Sequence, residues 1–300
     1  MELWVWVTFC AAAFQTGRFM LQKQLSAVAL SAAGATFARF IYSAPLVALG
    51  VVGLAAIKGW HLPALGPGFW AYVWAGGLAQ ILATVCVVAL FKHRNFAVGI
   101  TFKKTEVIQT ALVGFVLLGE GVSPLGFVAI LLGLAGVMVL SGTPDAPGGW
   151  WRNLANRAAG LGVLSGALFA VSGVTYRAAS LQVLSEQPFE RALITLGAVS
   201  VSQMLAMWLW LIWREPGQVG RVIAAHKVAK WVGLSSMAGS LCWFTAFTLQ
   251  NAAYVNAVGQ IELAFSLLAS TLFFKERPSL REYAGIALLC GSVLGLILLV

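Results

Sequence analysis

Charged side chains are scarce in this sequence. Of its 300 residues, 10% are Asp, Glu, Lys or Arg, and only ten of those are acidic. A soluble domain carries about a quarter charged residues, so an aqueous globular protein is excluded. Histidine occurs three times, as His61, His93 and His226, each in a connection between apolar runs. That leaves no HExxH zinc helix and no ligand cluster. The four cysteines, Cys10, Cys86, Cys242 and Cys290, lie inside apolar runs without metal-ligand spacing and read as small core residues. A GxSxG elbow, a glycine-rich phosphate loop ahead of a helix and an ATP-binding module are also missing. The expectation is a chain that is not an enzyme and uses no cofactor or metal. A basic leader with a cleavage site is lacking too, and Glu2 stands close to the first apolar run, which argues against a removed signal peptide.

What the sequence does have is hydrophobicity: 60% apolar residues and a mean hydropathy of +0.88. Runs of about 20 apolar residues match the length of helix that crosses a hydrocarbon core. Ten candidate spans follow, at about 3–22, 33–57, 68–91, 96–118, 122–141, 158–178, 190–213, 229–250, 253–274 and 280–299. Backbone groups in lipid must pair within the segment, so each run is expected to be a helix. The fold class is all-α, a polytopic membrane protein with ten transmembrane helices. The net charge of +9 sits in short connections, where it sets orientation, and nucleic acid is rejected as a partner.

A second pattern is an internal repeat. Shifting the numbering by 156 (262 − 106) lays Glu106 on Glu262, Glu120 on Glu276, Ser123 on Ser279, Cys86 on Cys242 and Phe91 on Phe247. Residues 1–141 form the first five-helix unit, 142–157 a Gly- and Pro-containing linker, and 158–300 the second unit. An odd number of crossings gives the two units opposite orientation, an inverted-topology repeat of the kind secondary transporters use to build a midplane site. Basic residues swap sides between equivalent loops: Lys92, His93 and Arg94 match Thr248, Leu249 and Gln250, while Gly119 and Gly121 match Lys275 and Arg277. By the positive-inside rule the odd-numbered connections are cytoplasmic and both termini are extracytoplasmic; Lys58, Arg177 and Arg191 dissent.

Glu106 and Glu262 are the foremost candidates for chemistry. Each lies eleven residues beyond an Asn, Asn95 or Asn251, hence about 16 Å along a helix, near the middle of the bilayer. A charge there costs at least about 2.5–3.5 kcal/mol, so it is expected to face a bundle interior or wet cavity. A raised carboxyl pKa would permit proton exchange near neutral pH. The structural alternative is a clamp in which Lys103, one turn earlier, neutralises Glu106. Of Lys103 and Lys104, one is expected to snorkel to the headgroups and the other can meet the carboxylate of an anionic or zwitterionic substrate. Gln109 shares the face of Glu106, and Gly259 and Ser266 that of Glu262. Gln80, Thr84, Ser236, Ser240 and Thr245 sit at cavity depth or bond neighbouring helices. Trp74 and Trp243 can stack on a flat substrate or simply pack. Trp4, Trp6, Trp70, Trp150, Trp151 and Trp213 read as interfacial anchors, and Glu120 and Glu276 as caps of short turns. Gly126, Gly133 and Gly136 on the fifth span, with Gly285, Gly291 and Gly295 on the tenth, fit either a dimer face or a seam within one chain. Monomer and homodimer both remain open.

The duplicated unit, with Thr105-Glu106-Val107 leading to Leu118-Gly119-Glu120 and Ile261-Glu262-Leu263 leading to Phe274-Lys275-Glu276, resembles the EamA-type ten-helix members of the drug/metabolite transporter superfamily. Members often carry Pro just after the central Glu; Val107 and Leu263 replace it here, and Lys275 replaces the Gly before the closing Glu. The resemblance implies secondary active export of a small metabolite, amino acid or drug by alternating access in a bacterial inner membrane, with proton coupling as one option. Its partners would be a small-molecule substrate, protons and membrane lipids. The competing classes are a membrane-embedded enzyme or lipid-handling protein, and a noncatalytic scaffold.

Overall fold

The computed structural model describes residues 2–28, 30–90, 103–141, 157–265, 268 and 279–299. Eleven helices are named among them: α1 (Leu3–Val28), α2 (Ala32–Ile57), α3 (Phe69–Leu90), α4 (Glu106–Leu118), α5 (Pro124–Ser141), α6 (Arg157–Leu181), α7 (Pro188–Arg214), α8 (Gln218–Ala224), α9 (His226–Leu249), α10 (Ala252–Gly259) and α11 (Leu280–Leu299). Six described helices, α2, α3, α6, α7, α9 and α11, are long and apolar enough to cross a membrane, and the α4 and α5 segments are shorter apolar helices. Helix α1 is as long as α2. Its mean hydropathy is lowered by Gln15, Arg18 and Gln22, side chains that turn out to matter below. The ten-span count depends partly on residues outside the described set, including Lys92 to Arg94, Ser266, Lys275 and Glu276. The sequence reading missed α8, a seven-residue helix between α7 and α9.

Exposed Leu, Val, Ile, Phe and Trp side chains cover the outer faces of these helices. Apolar surface on that scale suits lipid contact and no aqueous surface.

Helices pair in a pattern that exchanges the two halves. The most extensively packed partners are α3 with α6, α5 with α11, α1 with α9 and α2 with α7, and α4 packs on α10. Helices α2 and α7 run antiparallel: Lys58 at the end of α2 pairs with Glu190 at the start of α7, and Ser31 at the start of α2 bonds Glu215 at the end of α7. The Ser31 hydroxyl oxygen also caps α2 by accepting from the Gly34 N–H at 2.9 Å. Along α4 and α10, Lys104 meets Glu262, Thr110 meets Asn256 and Ser123 meets Tyr254, again antiparallel.

The glycines of α5 and α11 make a seam within the chain. A Cβ at Gly136 would stand 2.9 Å from the Gly285 carbonyl and 3.0 Å from the Leu289 nitrogen. The Ser292 hydroxyl donates to the Ala129 carbonyl at 2.6 Å, and Arg281 Nε donates to the Val139 carbonyl at 2.8 Å. Close backbone approach of this kind is what small residues permit in a membrane.

Three expectations are corrected here. Trp4 is buried, its indole N–H donating to Glu2 at 2.8 Å, whereas Trp6, Trp70 and Trp213 are exposed as anchors should be. Glu120 is not a turn cap: both its oxygens accept from Arg177 Nε at 2.8 Å, and Arg177 Nη1 also donates to the Phe247 and Gln250 carbonyls. The dissenting Arg177 thereby ties α6 to the α4–α5 turn and the end of α9. The turn is closed instead by Gly119 in the left-handed region, φ 66°. Finally, the central motifs are not continuous helix. Turn residues Lys104 and Thr105 precede Glu106, and turn residues Gln260 and Ile261 precede Glu262, where helical backbone resumes.

The seam makes a stability prediction. Gly136→Val should lower unfolding free energy by about 1–3 kcal/mol, the usual cost of overpacking, measured by denaturant titration in mixed micelles. Gly160→Ala, where an added Cβ meets nothing within 4 Å, should not.

Candidate functional site

The two breaks recur at equivalent places, 104–105 and 260–261, although neither motif carries proline. Glycine makes room for each. At the first, a Cβ on Gly166 of α6 would sit 2.8 Å from the Lys103 carbonyl and 3.4 Å from the Glu106 nitrogen. At the second, a Cβ on Gly259 would sit 2.4 Å from the ring of Trp243. The breaks start each acidic residue at the first turn of a new helical stretch, where free backbone N–H groups favour a carboxylate.

Both carboxylates are ion-paired, and consecutive lysines supply the pairs. Lys103 Nζ lies 3.0 Å from Glu106 Oε2, and Lys104 Nζ contacts Glu262 Oε1. Gln15 Nε2 of α1 donates to the other oxygen of Glu262 at 2.6 Å. All four side chains are at least 88% buried. This corrects the snorkelling expectation: neither lysine reaches the headgroups. Each must lie beside its carboxylate because an unpaired buried charge costs several kcal/mol more than a paired one. Lys103 also sits 4.9 Å from the centre of the Phe169 ring.

Beside the first pair lies a partly open chamber of about 50 Å³. That is room for a few waters, since one needs roughly 10–15 Å³ by the same measure. Its polar wall includes Gln15 and Arg18 of α1, Arg39 of α2, Gln80 of α3, Lys103, Glu106, Ser240 and Asn256; Phe169, Tyr176, Trp243, Phe244 and Phe247 make the aromatic wall. Tyr176 stacks on Phe244 at 4.4 Å and Trp243 on Phe247 at 5.6 Å. The Tyr176 hydroxyl stands 3.1 Å from both the Gly76 carbonyl and Gln80 Oε1, and Gln203 Nε2 donates to Gln80 Oε1 at 3.0 Å.

Of the residues singled out from sequence, Glu106, Lys103, Gln80, Ser240 and Trp243 are brought together on this chamber. Glu262 and Lys104 form the second pair one residue away along the chain from Lys103. Gln109 is adjacent, donating to Thr105 Oγ1 at 3.1 Å and facing Gly166 rather than the chamber. Two others lie apart. Thr84 is fully buried and donates to the Gln80 carbonyl within its own helix. Trp74 is 61% exposed on the outer face and leans on Trp70.

Sequence reasoning missed the arginines. Arg18 and Arg39 are 3% and 5% exposed, and among the described residues neither has a carboxylate partner. Arg18 Nη1 donates to Gln22 Oε1 at 3.2 Å; Arg39 Nε and Nη2 donate to Ser236 and Ser240 at 2.6 and 3.0 Å. Their signal was present, since each is a lone cation inside an apolar span.

Swapping charge for neutrality at the second pair tests the geometry. Lys104→Gln alone should cost about 3–5 kcal/mol by stranding Glu262. The double variant Lys104→Gln with Glu262→Gln should recover most of it, a coupling read from a double-mutant cycle in micelle unfolding.

Comparison with known proteins bears on what such a chamber serves. A solved crystal structure is similar over 97% of this chain and 99% of its own, with a TM-score of 0.68 and 17% identity, a likeness that shows the fold. A search of the curated proteins returns no match. Residues 156–298, which contain Tyr176, Trp243 and Glu262, match the EamA-like transporter family. Through that match the second half of this polytopic helical chain, residues 156–298, belongs to the EamA-like transporter family.

Proposed function

We propose that this protein is a secondary active transporter that exports a small metabolite, amino acid or drug from the bacterial cytoplasm by alternating access across the inner membrane. The observation that carries the reading is the buried polar chamber beside two broken helices, each restarting at a carboxylate. Discontinuous helices at a midplane site are the transporter pattern. The exchange of helix partners between halves, with α2 antiparallel to α7 and α4 to α10, supports two inverted five-helix units, 1–141 and 158–300. Ten crossings put both termini on one side, and the Lys/Arg excess on odd-numbered connections supports the extracytoplasmic one.

In this mechanism the chamber is the substrate site, and the halves rock about it. Protonating Glu106 or Glu262 removes the attraction that holds Lys103 or Lys104, so a proton entering from one side loosens the contact between broken helices. The lysine's own charge then needs another partner, which the rearranged state must supply. Proton uptake and conformational change are coupled because an unpaired ammonium is too costly to leave in place.

The test is flux. Comparing overexpressing and deletion cells across a metabolite panel identifies a transported compound, and reconstituted protein should move it in response to a pH gradient. Glu106→Gln and Glu262→Gln should each weaken the gradient response by roughly tenfold or more. If both leave it unchanged, the proton role fails while facilitated transport stands. Turnover of a lipid by purified protein that shows no vesicle flux would favour an enzyme instead.

A further inference from the structure

The chamber wall carries more donors than it can satisfy. Arg39 Nη1 and the Trp243 indole N–H are both buried without a hydrogen-bond partner, and both side chains line the chamber. Glu106 Oε2 on the same wall accepts no hydrogen bond, but its charge is offset by the Lys103 ammonium 3.0 Å away. Counting charge on this wall, Lys103 and Glu106 cancel, and the guanidiniums of Arg18 and Arg39 remain. A buried donor left unmade costs its full desolvation, and a buried cation without a counter-charge costs more. Such a site is complementary to an acceptor of negative charge. The guanidinium fork suits a carboxylate in particular, because two parallel N–H groups can meet its two oxygens. Against this cationic end stand the Trp243 and Phe247 rings, stacked at 5.6 Å, and Phe169, which suit an apolar or flat organic body.

We infer that the substrate of the proposed transporter is a small organic monocarboxylate with an apolar body, its carboxylate anchored by Arg39 with Arg18 as the second cation and its body against Trp243 and Phe247. This rests on the transport reading and narrows it. It also moves the anion contact from the lysines, where the sequence pointed, to the arginines, because both lysines are held by glutamates. Arg39 is suited to the task by its fixed position: Ser236 and Ser240 of α9 hold Nε and Nη2, so binding orders little that is mobile. The same bonds couple α2 to α9 through the binding residue, so ligand on Arg39 acts on a contact between the halves.

Matched probes with one body and three charges decide the matter: phenylacetate, phenylacetamide and phenethylammonium, together with hexanoate, hexanamide and hexylammonium. On the full-length protein in detergent, the acids should raise the melting temperature and the amides and amines should not. Arg39→Gln should weaken acid binding about ten- to hundredfold. Arg39→Lys, which keeps the charge and serves if the Gln variant does not fold, should weaken it less and remain monodisperse. Preferential stabilisation by amide or amine, no stabilisation by either acid, or acid binding that ignores both Arg39 variants overturns the inference. The transport reading is judged separately. Flux of an amide or amine in proteoliposomes upholds transport while sinking the carboxylate assignment, and Arg39-dependent acid binding with no flux of any probe does the reverse.

Discussion

Charge that cannot reach water must find a partner inside, and most of what distinguishes this fold follows from where those partners are. Two neighbouring lysines reach in different directions to two glutamates from different halves of the chain. Each contact is between long side chains at the point where a helix is interrupted, so the interruption and the ion pair depend on one another. On any helix, consecutive residues point about 100° apart, which sends the two lysines to different partners. Broken, the segment lets the backbone of α6 nest against it.

Around this centre the remaining polar contacts tie specific layers. Arg177 gathers the α4–α5 turn and the end of α9 through two carboxylate bonds and two carbonyl bonds. Gln80, Tyr176 and Gln203 join α3, α6 and α7. Asn256 of α10 donates to Thr110 of α4 at 2.9 Å. None of these competes with lipid, because the outer faces are almost wholly apolar. The interior sets these polar contacts among two buried apolar clusters.

Much of this was legible in the sequence for a clear reason. Hydrophobic runs report helices because lipid leaves the backbone no other way to pair, and helix bounds such as 32–57, 188–214 and 226–249 lie within a few residues of those expected. Glu106 stood out because a carboxyl in such a run is expensive. Pairing was harder to see. Lys103 with Glu106 is visible as a three-residue spacing, whereas Lys104 with Glu262 joins residues 158 positions apart (262 − 104), which no local pattern reveals. Arg39 carried only the signal of a lone cation in an apolar span, and its role depends on serines of α9 nearly two hundred residues later. Trp74 shows the converse error, because only packing decides whether a helix face turns inward or out.

The backbone breaks are shared by both copies, but the lysines beside them belong to the first copy alone; Gly259 and Gln260 stand where the second would have Lys103 and Lys104. In the transport mechanism proposed above, identical halves would make the inward-facing and outward-facing forms two-fold equivalents of equal energy. With both ammonium groups on one side of that exchange, the proposed cycle would have a preferred resting direction before any ligand binds.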